Sequence, residues 1–142
     1  MKTKIQKTIV GGIAGTGIMT LIMLMAPMMG IPKMNPPEML SGMLGLPLII
    51  GWIMHFMIGI VFASFYVYVL DAWFIKIKSD VINGALFGFI VFVFAQIMLM
   101  LIKIIMGGMD SAEGTMLLMM MGSLLGHLVY GIVAVALVKI KP

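Results

Sequence analysis

Four long apolar runs constrain this chain more than any other feature. They lie at approximately Thr8–Met29, Pro47–Leu70, Val81–Met106 and Met116–Val138. A helix crossing the hydrocarbon of a bilayer needs about 20 mostly apolar residues, and each run meets that length. Apolar residues make up 63% of the chain and charged residues 10%. Soluble domains carry roughly 45–50% and about 25%, and 142 residues are too few to hide the excess from water. The expected fold class is an all-α membrane protein: four transmembrane helices forming one transmembrane domain over residues 1–142.

The punctuation between the runs agrees. Pro27 and Gly30 close the first run. Ile31-Pro32-Lys33-Met34-Asn35-Pro36-Pro37 follows as a loop, since so many prolines cannot continue a helix. Pro47 suits the first turn of the second helix, and Ser79 and Asp80 are N-cap candidates for the third. Gly107-Gly108 ends it. The lysine-rich start resembles a signal peptide, but the apolar run is too long and no small-residue cleavage site follows, so an uncleaved first span is expected.

All nine basic residues are lysines. Lys2, Lys4, Lys7, Lys76, Lys78, Lys139 and Lys141 fall on one side of the four spans, and Lys33 and Lys103 on the other. Lysine excess marks the cytoplasmic side. Both termini are therefore expected in the cytoplasm of an inner-membrane protein, with Glu38, Asp110 and Glu113 in outward loops. The same reading makes Trp52, Trp73, Tyr66 and Tyr68 interface anchors.

A shift of 72 residues lays one half of the chain on the other without a gap, with ten identities in 62 positions. His55-x-x-x-Gly59-Ile60-Val61 falls on His127-x-x-x-Gly131-Ile132-Val133, and these are the chain's two histidines. The expectation is two tandem helical hairpins, about 9–70 and 81–142, entering the membrane in the same sense. They would be related by a pseudo-twofold axis along the membrane normal.

Several motifs carry a family resemblance: Gly11-Gly12-Ile13-Ala14-Gly15, the Gly30–Leu40 loop, Gly51-Trp52-Ile53-Met54-His55-Phe56-Met57-Ile58-Gly59, and Gly126-His127-Leu128-Val129-Tyr130-Gly131. In them the chain resembles an uncharacterised family of small bacterial four-helix membrane proteins, classed as a domain of unknown function. The resemblance implies a four-helix bundle and no reaction.

Lipid gives helices no hydrophobic reason to associate, so small residues that admit close backbone approach mark the contacts. Gly51, His55, Gly59 and Ala63 recur at every fourth position, as do Ser123, His127 and Gly131. Each histidine therefore shares the packed face of its helix. An intramembrane histidine is a candidate site. One reading makes His55 and His127 axial ligands of a b-type haem, with Gly59 and Gly131 leaving room for the porphyrin. The other makes each a hydrogen-bonded packing residue, with Thr16, Thr20, Gln96 or a backbone carbonyl as partner.

Of 19 methionines, only Met1 and Met19 belong to the expected inner half. Thioethers select Cu(I), which makes Met28, Met29, Met34, Met39 and Met109 candidate soft ligands around the outward loops. Methionine also fills gaps at adaptable packing surfaces, and most of these positions are ordinary helical ones.

No cysteine is present, which excludes disulfides and thiolate chemistry. The chain carries no nucleophile–base set, phosphate loop, metalloprotease motif or nucleic-acid motif. The expectation is a non-enzymatic accessory or assembly subunit in contact with lipid and with other membrane proteins or itself. The alternatives are a haem- or Cu(I)-binding membrane protein and a small transporter.

Overall fold

The computed structural model describes residues 3–74, 77–106 and 113–139. Met1, Lys2, Lys76, Gly107, Gly108, Met109, Asp110 and Lys141, all given roles above, lie outside the described residues, as do the side chains of Lys103 and Glu113. Among the described residues every regular element is helical: α1 (Lys4–Met25), α2 (Pro36–Leu44), α3 (Leu48–Phe65), α4 (Asp80–Met106) and α5 (Glu113–Lys139). A 3₁₀ turn at Ala26–Met29 extends α1, and a π-turn at Tyr66–Leu70 extends α3. With these extensions, four helices are long and apolar enough to cross a membrane: Lys4–Met29, Leu48–Leu70, Asp80–Ile102 and Met116–Lys139.

The start of α1 is a capping box, in which Thr3 Oγ1 accepts from Gln6 N and the Gln6 side chain accepts from Thr3 N. This satisfies amide groups a helix start leaves unpaired. Gly30, at φ +78°, takes the left-handed conformation that ends the first span.

The fifth helix, α2, corrects the reading of the proline-rich segment as a plain loop. Those prolines stop α1, but Pro36 and Pro37 occupy the first turn of a new helix, where a missing N–H costs nothing. Asn35 caps it by accepting from Glu38 N at 3.5 Å, and Gly45 closes it at φ +63°. The short helix lies against the start of α3. A side chain at Gly51 would collide with the Pro37 carbonyl and come within 3.0 Å of Ser41 Cβ.

In the bundle, α1 packs against both α3 and α5, and α4 packs against α5. Glycine sets the closeness of all three contacts. A Cβ on Gly12 would stand 2.7 Å from Ile60 Cα on α3, and one on Gly11 3.0 Å from the Ala134 carbonyl oxygen on α5. A Cβ on Gly84 would collide with Ile132 Cα, and one on Gly131 with the Gly84 carbonyl. By contrast, α3 and its π-turn meet α4 through rings: Phe62 with Phe94 at 5.3 Å and Tyr66 with Phe87 at 5.0 Å between centroids.

The core runs along these contacts: Met19, Met23 and Met34 toward the α2 end, and Tyr66, Val67, Leu70, Phe87, Val91, Tyr130, Ala134 and Val135 toward the other. Tyr66 is 1% exposed, a core side chain and not an interface anchor. Tyr68 and Trp73 do face outward, at 60% and 78% exposure, and Lys4 Nζ sits 5.2 Å from the Tyr68 ring centre.

Candidate functional site

The histidines are seated by their glycine-spaced faces. On α3, Gly51, His55, Gly59 and Ala63 are all buried. His55 Nε2 lies 2.9 Å from Thr20 Oγ1 on α1, and the same hydroxyl is 2.7 Å from the Thr16 carbonyl oxygen. A hydroxyl has one proton. Donating it to the carbonyl leaves Thr20 to accept from His55 Nε2–H, so Nδ1 keeps its lone pair.

His127 is half-buried and bonds along its own helix: Nδ1 is 2.7 Å from the Ser123 carbonyl oxygen. A carbonyl only accepts, so Nδ1 carries the proton and Nε2 keeps the lone pair. Gln96 Nε2 on α4 donates to Ser123 Oγ at 3.3 Å, and Phe92 of α4 presents an edge-on ring 6.0 Å from the imidazole. Each imidazole thus has a partner of its own, and the two partners differ in kind. Of the expected partners, Thr20 bonds His55, a backbone carbonyl (Ser123) bonds His127, and Gln96 reaches the Ser123 hydroxyl.

Gly59 and Gly131 lie under neighbouring backbone. A Cβ at Gly59 would occupy the position of Thr16 Oγ1, and one at Gly131 would collide with the Gly84 carbonyl and the backbone of Gly88. The space beside each histidine is filled by the adjoining helix.

The candidate methionines separate. Met28 and Met29 are 83% and 76% exposed on the 3₁₀ turn, Met39 is half-buried on α2 and Met34 is buried. Met19 and Met23 of α1, which the argument from loops passed over, are buried with Met34 in one cluster. Among the described residues, no three of His, Asp and Glu come together as they would to hold a metal ion.

Two further features were not anticipated. Tyr130 Oη donates to the Gly59 carbonyl oxygen at 2.5 Å; its place one residue before Gly131 was the available signal. At the same end of the bundle as the first residues of α1, Lys139 Nζ lies 3.5 Å from Asp80 and 3.9 Å from Asp71, with the Tyr66 ring 5.9 Å away. One cation thus joins the ends of three helical segments. On the outside of α1 and α3, a shallow groove of about 430 Å³ is lined by Ile13, Trp52, Ile53, Phe56, Met57 and Ile60.

These features define a small all-helical bundle with four helices apolar enough to cross a membrane and two histidines among their contacts. The chain belongs to a family of unknown function, DUF6789, whose model matches residues 2–140. No curated protein and no solved structure matches it.

Proposed function

We propose that this protein is a non-enzymatic integral subunit of the inner membrane, with both termini cytoplasmic, that packs against partner membrane proteins or further copies of itself. The observation that carries the reading is an inversion of polarity. Thr16, Thr20, His55 and Asn83 are buried, while Ile, Leu, Val, Phe and Met side chains cover the outside of every long helix. Water favours the opposite arrangement, and lipid favours this one. The lysines at the end opposite α2 supply the orientation.

The reading includes two tandem hairpins related by a pseudo-twofold axis. Its support is that Gly12 meets Gly59 and Ile60 as Gly84 meets Gly131 and Ile132, each residue 72 positions from its counterpart. The pairing between hairpins departs from symmetry for a reason visible in the residues. Gly11 and Gly15 let α1 close on α5, whereas Phe87, the counterpart of Gly15, meets Tyr66 after α3 at 5.0 Å between ring centres.

A packing role is supported by how Thr20 and the two histidines are used: they bond between or along helices and do not converge on a nucleophile or base. His55 holds Thr20 across two helices and His127 holds the Ser123 carbonyl along its own, an arrangement that favours packing imidazoles over paired haem ligands. Among the described residues no carboxylate is buried, which counts against a proton-coupled transporter. The test is extraction from the native membrane in mild detergent, followed by native mass measurement and a visible spectrum. The expected particle is colourless and heavier than the 15.5 kDa chain, with the excess supplied by stoichiometric protein. A monomer, or a stoichiometric haem band lost on His55→Ala, would overturn the proposal.

A further inference from the structure

We propose that Met19, Met23 and Met34 form a thioether site for Cu(I) inside the α2 end of the bundle. The three side chains come from two separate elements, α1 and the segment before α2. They are 6%, 3% and 5% exposed and belong to one cluster, with Met119 packed against it. They converge on one face of α5, which carries no side chain at Gly122 or Gly126. The Met23 methyl fills the space a Cβ at Gly126 would need, with Met19 Cγ 3.2 Å from that point. The Met34 methyl fills the space at Gly122, with its sulfur 3.6 Å from that point. The two glycines are four residues apart and so share a face one turn apart. All three methionine side chains therefore lie against successive turns of one face of α5.

The donor chemistry selects the ion. Thioether sulfur is soft and uncharged, which suits Cu(I) and disfavours Mg²⁺, Ca²⁺ and other hard cations that need oxygen. The three thioethers carry no charge, so a divalent ion would gain no charge compensation from them. A monovalent, weakly hydrated ion loses least on entering such a site. The exposed Met28 and Met29, six and five residues before Met34, are not part of this cluster.

The test is anaerobic titration of the purified full chain in detergent with Cu(I), in competition with the chromophoric chelator bathocuproine disulfonate. Wild-type protein is expected to withhold one Cu(I) per chain. The Met19→Leu/Met23→Leu/Met34→Leu protein should lose at least tenfold in affinity, while Met28→Leu/Met29→Leu should be unchanged. Leucine nearly matches methionine in volume, and retained helical content and monodispersity of the triple variant confirm that the loss is one of ligands. X-ray absorption of the loaded wild-type protein should show sulfur in the first coordination sphere. Failure of the wild type to compete, undiminished affinity in the triple variant, or a sphere of nitrogen and oxygen alone would each overturn the proposal.

Discussion

The hydroxyl of Tyr130 on α5 donates to the backbone carbonyl of Gly59 on α3. It crosses between two helices that both pack on α1. Its ring also lies over Gly15, whose Cβ, if present, would stand 2.9 Å from Tyr130 Cδ2. One residue thus depends on a glycine on α1 for its place and on a carbonyl on α3 for its bond. Tyr130→Phe keeps the ring and removes the bond. Hydrogen bonds between membrane helices average about 0.6 kcal/mol and reach about 1.7 kcal/mol. Full burial places this one toward the upper figure, read as a lowered midpoint of unfolding in detergent. An unchanged midpoint would show that the hydroxyl contributes nothing to joining α3 and α5.

The glycines divide into those another helix touches and those it does not. A Cβ on Gly131 collides with Gly84 and Gly88 backbone, whereas one on Gly17 meets nothing within 4 Å. Gly131→Ala should destabilise by about 1–3 kcal/mol, the usual range for overpacking, because neither helix has a flexible side chain to yield. Gly17→Ala should be neutral or stabilising, since alanine has the better helix propensity. Equal midpoints for the two variants would contradict the close α4–α5 contact.

Thr20 and His55 should be energetically coupled. In a double-mutant cycle with Thr20→Val and His55→Leu, the first change leaves the buried imidazole without its partner, the second leaves the Thr20 hydroxyl only its bond to the Thr16 carbonyl, and the double change removes both groups. A coupling of about 0.6–1.7 kcal/mol is expected for a bond of this kind between membrane helices. Strictly additive losses would mean that the contact does no structural work.

Lys139 bridges Asp71 and Asp80, each about half exposed, with its own side chain 21% exposed. Exposed ion pairs contribute roughly 0–1 kcal/mol and are screened by salt. Lys139→Met should therefore cost at most about 1 kcal/mol, and the difference from wild type should shrink at high salt. Hydrogen exchange should rise near Tyr66–Asp71 and the start of α4 and not at the α2 end. A uniform rise in exchange would argue against a local clip.

Topology is open to direct measurement. Reporters fused after Lys78 and Pro142 should read cytoplasmic, and one after Met109 external, following the lysine distribution. An external C-terminus would reverse the orientation and place the methionine-rich end on the cytoplasmic side.

The four long helices were legible because apolar length is a property of each segment alone. So was the burial of the histidine faces, because small residues at every fourth position specify one side of a helix. Two features were misjudged although their signals were present. Asn35, Pro36, Glu38 and Gly45 together spell a capped short helix, but the prolines were weighed only as helix breakers. Tyr66 stands seven residues after Gly59 and so continues the buried face through Ala63, yet an aromatic near a span end was assigned to the interface. Which of the candidate partners His55 takes, the crossing of Tyr130 and the convergence of Met19, Met23 and Met34 were not legible, because they depend on which helices become neighbours. That choice rests on glycine contacts scattered over all four spans.

The π-turn after α3 has a consequence for register. Asp71 N bonds to the Tyr66 carbonyl at 2.8 Å, five residues back, so the segment holds one residue more than an α-helix of the same rise. Each α-helical residue turns the chain by about 100°. Winding the same residues as an ordinary α-helix would swing Asp71 by about that angle, away from Lys139, whereas deleting one residue would restore ordinary winding and leave Asp71 near its present direction. The wide turn is thus the means by which a helix whose face is set at Gly59 and Ala63 carries one more residue and still delivers a carboxylate to a lysine on a different helix.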